Sequence, residues 1–279
     1  MRVANLDGRL VLLSGTGAVD VERASAGRFG PDPRTAYDRW DAFAAWAGGV
    51  SGPAEPYDPA DLRAPVPAPR QVFGIGLNYH AHAAESGLEV PERPVVFTKF
   101  PSCVTGPYGD IVLPEGGSTD WEAELVAVIG RTARRVAEKD AWSHVAGLTA
   151  GQDLSERGTQ LAGPAPQFSL GKSLPGFGPT GPCVVTVDEF DDPDDLALGC
   201  SVGGEEMQRG RTGDMIFSVP RLVAALSAVL PLLPGDLLFT GTPAGVGMGR
   251  SPRRWLAPGD ELVTRVETIG EMRHRLVAG

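Results

Sequence analysis

Cysteine is scarce in this chain and lies unpaired. Cys103, Cys183 and Cys200 stand far apart with no CxxC among them, which argues against a disulfide framework and a thiolate zinc site and favours a reducing compartment. Long apolar runs are also missing. No stretch approaches the roughly 18 consecutive apolar residues of a spanning helix, so no membrane partner is expected. Met1-Arg2-Val3-Ala4-Asn5-Leu6-Asp7 lacks the apolar core of a signal peptide, and a cytoplasmic protein is the expectation. Positive charge is in deficit: 25 basic against 35 acidic side chains give a formal charge of −10. That balance argues against a nucleic-acid partner, which calls for a clustered basic face. It leaves a small anionic substrate open, because one bound cation can outweigh the global charge.

What is present suits an ordinary packed core: 279 residues, 42% hydrophobic, enough for one large domain with a small appendage. Residues 2–24 read as short strands, Arg9–Leu13 and Ala18–Val21, about a Gly15-Thr16-Gly17 turn. Asp32-Pro33 opens a predicted helix reaching Trp46, with Tyr37, Trp40, Phe43 and Trp46 at three-residue spacing and Gly48-Gly49 ending it. Pro53, Pro56, Pro59, Pro65, Pro67 and Pro69 then imply an extended connector, and a boundary is set there: residues 1–69 as a small N-terminal domain with linker, residues 70–279 as the main domain. Beyond it, Val95–Phe97, Glu124–Ile129, Cys183–Val187, Leu237–Thr240 and Glu261–Val266 read as strands. Helices are predicted over Glu138–Leu148 and from a Ser218 cap through Pro220 to Pro231. No repeat period and no strand–helix alternation of a Rossmann sheet appears. The fold class is therefore α+β, mainly β, with helices outside mixed strands.

The most informative segment is Asp120-Trp121-Glu122-Ala123-Glu124-Leu125 with the apolar run behind it. In a strand, residues two apart share a face, so Glu122 and Glu124 project together. If buried, two adjacent carboxylates repel and cost several kcal/mol each to desolvate unless a cation joins them. On spacing alone the pair also reads as two glutamates on a solvated face. Asp153, in the turn Gly151-Gln152-Asp153, is a third candidate, or a plain turn aspartate. With no His or Cys cluster alongside, an oxygen-only site favours Mg²⁺ or Mn²⁺ over Zn²⁺.

Further motifs follow in order: Asn78-Tyr79-x-x-His82-x-x-Glu85, Asp120-x-Glu122-x-Glu124, Asp153-x-Ser155-x-Arg157-x-x-Gln160, Gly171-Lys172-Ser173, Met215-Ile216-Phe217-Ser218-x-Pro220, and Pro-Gly-Asp-x-x-x-Thr240-Gly241-Thr242-Pro243. This series resembles the fumarylacetoacetate hydrolase family over about residues 70–279, in particular its acylpyruvate hydrolase, oxaloacetate decarboxylase and oxo-diene isomerase members; the first 69 residues are similar to the small N-terminal domain some members carry. The resemblance implies a mixed β-sandwich roll, a homodimer, and one Mg²⁺ or Mn²⁺ held by Glu122, Glu124 and Asp153. It implies that His82 and Glu85 form a base dyad on one helical turn and that Lys172 stabilises enolate charge. Arg157 and Gln160 fall on positions contacting the substrate carboxylate, Thr240 or Thr242 adds a hydroxyl, and Tyr79 joins the substrate-contact candidates. His80 reads as a surface histidine. The Gly-rich 241–249 stretch is no P-loop, lacking Gly-Lys-Ser/Thr.

The activity this implies is metal-dependent hydrolysis of a C–C bond in a 2,4-dioxo acid of acylpyruvate or fumarylpyruvate type, by way of a metal-stabilised enolate. Alternatives are decarboxylation or keto–enol or double-bond isomerisation on the same scaffold, or a non-catalytic metal-binding homologue. Departures from the pattern stand at Pro175-Gly176, Gly203-Gly204 and Gly158; they bear on the substrate pocket, not on the dyad or the acidic residues.

Overall fold

The segment Ala123–Ile129 is buried along its whole length. Leu125, Ala127 and Ile129 enter one apolar cluster and Val126 and Val128 another, as a central strand covered on both faces requires. The computed structural model describes residues 1–15, 17–50 and 54–279; the turn read at Thr16 and the connector's Pro53 lie outside them.

In chain order, the strands β1 (Arg2–Leu6), β2 (Arg9–Ser14) and β3 (Gly17–Asp20) precede helices α1 (Arg34–Asp38) and α2 (Trp40–Ala47). Then come β4 (Val72–Gly76), α3 (His80–Glu85), β5 (Val95–Thr98), β6 (Tyr108–Leu113), β7 (Ala123–Ile129) and β8 (Val145–Gln152). Short helices α4 (Arg157–Gln160) and α5 (Phe168–Gly171) lead to β9 (Gly178–Val185), β10 (Ala197–Val202) and β11 (Glu205–Arg211). Helix α6 (Val219–Val229), β12 (Leu237–Phe239), β13 (Glu261–Val266) and β14 (Gly270–Ala278) close the chain. One sheet runs β3-β2-β1-β9-β8-β7-β12-β4-β5 and a second β11-β10-β13-β14-β6. Both are mixed: β12 pairs with β4, and β14 with β6, in parallel, among antiparallel neighbours. Leu125, Leu148 and Ala150 of the first sheet share a buried cluster with Leu198, Val266 and Met272 of the second, so the sheets sandwich a common core in an α+β, mainly β fold. Among the described residues no helix is long and apolar enough to cross a membrane.

The N-terminal strands are sewn into this arrangement: β1 pairs with β9, Arg2 opposite Val185, and the connector's Leu62-Arg63 pairs back onto β1. Two helix expectations differ from the structure. The predicted 32–46 helix breaks at Arg39 (φ −134°, ψ 39°), because a strict three-residue spacing drifts around a 3.6-residue helix. The break lets Tyr37 and Trp40 stack at 5.8 Å over the first sheet. The predicted 138–148 helix is a 3₁₀ segment, Glu138–His144, followed by β8. Every residue of β8 is buried, so Val145–Leu148, the end of the predicted helix, belong instead to a strand covered on both sides. Helix α6 forms as expected, with Ser218 accepting from Arg221 N and Pro220 in the first turn.

His274, on β14, is 1% exposed, and its Nε2–H donates to the Gly106 carbonyl at 3.0 Å. Burial pushes its pKa down to about 4, the Gly106 bond offsetting only part. The unfolded chain binds this proton below about 6.5, so the neutral histidine's contribution is present above that pH and is lost as pH falls towards 4. A full shift of that size is worth about 3 kcal/mol. Chemical denaturation at several pH values should show stability falling between pH 6.5 and 4, with a smaller slope in His274→Gln; equal slopes would remove His274 as the cause.

Candidate active site

The start of β7 and the end of β8 are paired, Glu124 opposite Gly151 and Ala123 opposite Gln152. Asp153 N then donates to the Glu122 carbonyl at 2.9 Å. This local pairing brings one carboxylate oxygen each of Glu122, Glu124 and Asp153 within 4.8 Å of one another, all three buried.

Cations surround the cluster. Lys172 Nζ bridges Glu122 Oε2 at 2.7 Å and Asp153 Oδ2 at 2.6 Å. Arg157 Nη2 donates to Glu122 Oε1 and its Nε to Asp120 Oδ1, both at 2.7 Å. Lys99 was not anticipated. It is 1% exposed, and its Nζ donates to Asp153 Oδ1 at 2.6 Å and to the carbonyls of Lys172 and Phe177. The available signal was a lysine closing the apolar run Val95-Val96-Phe97-Thr98, ambiguous by itself.

Burial alone would raise the Glu122 pKa, but Lys172 and Arg157 outweigh it and hold the group at about 2. Burial would likewise lower Lys172, yet Asp153 and Glu122 keep it above its ordinary value. Glu124 goes the other way: burial, then Asp153 and Glu122 beside it, push it well up. Four acids (Asp120, Glu122, Glu124, Asp153) face three cations (Lys99, Arg157, Lys172), and Glu124 carries the surplus.

The donor set fits a hard divalent cation. All donors are carboxylate oxygens, one negative charge is uncompensated, and an oxygen accepting one hydrogen bond keeps a further lone pair. Among the described residues Glu124 Oε2 accepts only from Gly241 N at 2.8 Å.

The dyad residues sit beside this cluster. His82 Nδ1 lies 3.2 Å from Glu85 Oε2, one turn apart on α3, while His80 is exposed. Glu85 is itself seated by Gly245 N, at 2.9 and 3.1 Å from its two oxygens. Gly245 has φ +107°, and a Cβ there would lie 2.2 Å from the Met207 carbonyl. Gly245→Ala should therefore displace the seat of Glu85, and a shift of about 1 Å at a dyad can cost about 100-fold in kcat. Steady-state rates together with calorimetry of divalent-ion binding check this: the rate should fall while ion affinity holds. Undiminished turnover would mean that the seat is dispensable.

One cavity of about 170 Å³ gathers His82, Glu122, Arg157, Gln160, Lys172 and Thr242 on its wall. Gln160 Oε1 accepts from Arg157 Nη1 at 2.8 Å, which leaves the amide's donors for a ligand. Thr242 Oγ donates to the Ala123 carbonyl and accepts from Gln208 Nε2. Two substrate-contact candidates stand off this wall. Thr240 spends its hydroxyl on the Leu125 carbonyl at 2.8 Å, locking the end of β12 onto β7. The Tyr79 hydroxyl is buried without a hydrogen-bond partner, and its backbone bridges to Met215.

A mixed two-sheet sandwich with buried acids beside a histidine–glutamate pair describes an enzyme site. Residues 71–277 match the fumarylacetoacetate (FAA) hydrolase C-terminal family, and the chain belongs to it. It is 40% identical over 226 residues, 81% of this chain and 72% of the other, to "Oxaloacetate tautomerase FAHD2A, mitochondrial" of Bos taurus. A Mycobacterium smegmatis crystal structure provisionally labelled HpcE superposes over the whole of both chains with TM-score 0.96 and 56% identity. Maleylpyruvate hydrolase from Sphingobium sp. SYK-6, solved with manganese(II) ion and pyruvate, covers both chains fully with TM-score 0.80 and 29% identity. The family thus includes hydrolase and tautomerase activities.

Proposed function

We propose that this enzyme hydrolyses a C–C bond in a 2,4-dioxo acid. The reading rests on one observation: Glu122 of the acidic cluster and His82 of the dyad line the same cavity. Glu122, Glu124 and Asp153 would hold Mg²⁺ or Mn²⁺, and a bound ion of this kind supplies Lewis-acid polarisation of a 2-oxo carbonyl. Gln160, held by Arg157, would take the substrate's 1-carboxylate through its free amide donors. His82, oriented by Glu85, removes a proton from water, and the resulting hydroxide adds to the C4 carbonyl. The C3–C4 bond then breaks with its electron pair remaining on C3, as the enolate of pyruvate beside the Lys172 ammonium. The proton held by His82 returns to C3. One water is consumed, and a carboxylic acid and pyruvate leave.

A second reading, enol–keto exchange of a 2-oxo acid without water attack, is favoured by the 40% identity to an oxaloacetate tautomerase. It uses the same acids and Lys172 but has no need of a water-activating base.

The test is a panel of 2,4-dioxo acids and oxaloacetate, each with Mg²⁺, Mn²⁺ or a chelator, followed by NMR for products and by ultraviolet absorbance for the enol. Pyruvate and a carboxylic acid should form together, and chelation should stop both. Absence of a pyruvate-type product from every acylpyruvate and from fumarylpyruvate would defeat the hydrolytic reading.

A further inference from the structure

The cavity's wall divides sharply by chemistry. Its cations are Arg157 and Lys172, and each is already engaged: Arg157 with Asp120, Glu122 and Gln160, Lys172 with Glu122 and Asp153. His82 is directed at Glu85. Much of the remaining wall is apolar, formed by Leu88, Val95, Phe97, Leu161, Phe168 and Met248. Phe97 and Phe168 meet edge to face at 5.7 Å. At about 170 Å³, the space is smaller than the roughly 300–1,000 Å³ of sites for drug-sized ligands.

We infer that the enzyme is selective for 2,4-dioxo acids whose acyl group is short and apolar, and discriminates against substrates carrying a second, distal carboxylate. The inference rests on the hydrolytic reading above. A substrate's first carboxylate and 2-oxo group match the polar end, where Gln160, Lys172 and Glu122 of the acidic cluster lie. A second carboxylate would then face Leu88, Leu161 and Phe168 with no uncommitted cation in the wall among the described residues. A charge left without a partner against apolar side chains is disfavoured relative to a methyl group. Leu88 and Leu161 are 54% and 45% exposed, so solvent at the mouth tempers the penalty. This specificity sets the chain apart from the oxaloacetate and maleylpyruvate in its relatives' names, since both of those compounds are dicarboxylates.

The decisive comparison uses succinylpyruvate and its isopropyl isostere, in which CH(CH₃)₂ replaces the distal carboxylate, with acetopyruvate as the small reference. Assayed with Mg²⁺ in the full chain, the isostere should exceed succinylpyruvate in kcat/KM by about 100-fold, of the order a hydrophobic pocket can supply. Leu161→Arg places a guanidinium on the wall and should narrow that ratio at least tenfold by lowering KM for succinylpyruvate alone. Parity between the two compounds, or preference for succinylpyruvate, overturns the inference while leaving the hydrolytic reading in place. Failure to cleave any of the three removes that reading, and the inference with it. An unchanged ratio in Leu161→Arg, with succinylpyruvate still rejected, would show that something other than the missing cation sets the preference, which also overturns it.

Discussion

Asp153→Asn and Glu124→Gln should move the stability of the metal-free protein in opposite directions while both abolish divalent-ion binding. Asp153 neutralises two buried ammonium groups, Lys99 at Oδ1 and Lys172 at Oδ2. Removing its charge leaves Lys99 without a carboxylate and Lys172 with Glu122 alone, and breaking a buried pair in this way costs about 3 kcal/mol or more. For a chain of this size that is a fall in Tm of roughly 6–12 °C. Glu124 is the surplus acid, pushed towards its neutral form by burial and by Asp153 and Glu122. A glutamine keeps the acceptor for Gly241 N and removes the repulsion, so Tm should rise by a few degrees, a gain of about 1 kcal/mol. In the unmutated protein an ion at 100 times its Kd adds about 2.7 kcal/mol; neither variant should show that gain. Thermal melts with and without Mg²⁺ decide the matter. An ion-induced shift retained in Glu124→Gln, or a Tm loss matching that of Asp153→Asn, would refute the charge balance described for the site.

His82→Ala should lower C–C cleavage by about 10² to 10⁴, the usual contribution of a positioned general base, with KM nearly unchanged. Glu85→Gln should weaken cleavage less, because the imidazole remains while its orienting charge is lost. Enol–keto exchange of oxaloacetate needs no activated water but does need a proton moved at C3, the step in which His82 gives its proton back after cleavage, so His82→Ala should slow it less than cleavage, which loses both steps. The two assays run on the same preparation separate the readings: cleavage surviving within tenfold would show that the imidazole is not the base, and loss of both activities would assign it to the enol chemistry as well.

The acidic cluster was legible because its cause is local. Period-two alternation places Glu122 and Glu124 together, and the apolar run after them announces burial. Asp153 could be joined to them only through the family pattern, since its approach depends on β7 pairing with β8. Lys99 is illegible in the sequence for a related reason. Its acceptors lie 54 to 78 residues away in sequence, and a lone lysine closing a strand gives no sign that it turns inward. Tyr79 and Thr240 illustrate the opposite case: motif residues that do not line the cavity, the Tyr79 hydroxyl being buried and the Thr240 hydroxyl bonded to the Leu125 carbonyl. Over 138–148 the chain forms a 3₁₀ segment and then enters β8, and a short apolar run such as Val145–Leu148 does not by itself separate a buried strand from a helix.

The pairing of Glu124 with Gly151 has a consequence for how this protein tolerates length change. A Cβ at Gly151 would lie 2.4 Å from Val126 and 2.8 Å from Phe239, so the two strands can mesh closely only in this alignment. Adding a residue to the connection between Ile129 and Val145 would be absorbed outside the sheet. The same addition between Gly147 and Gln152 would turn Asp153 to the opposite face, parting it from both glutamates at once. The cluster is therefore kept whole or broken at Asp153, and insertions in this strand act as all-or-none events where substitutions would be graded.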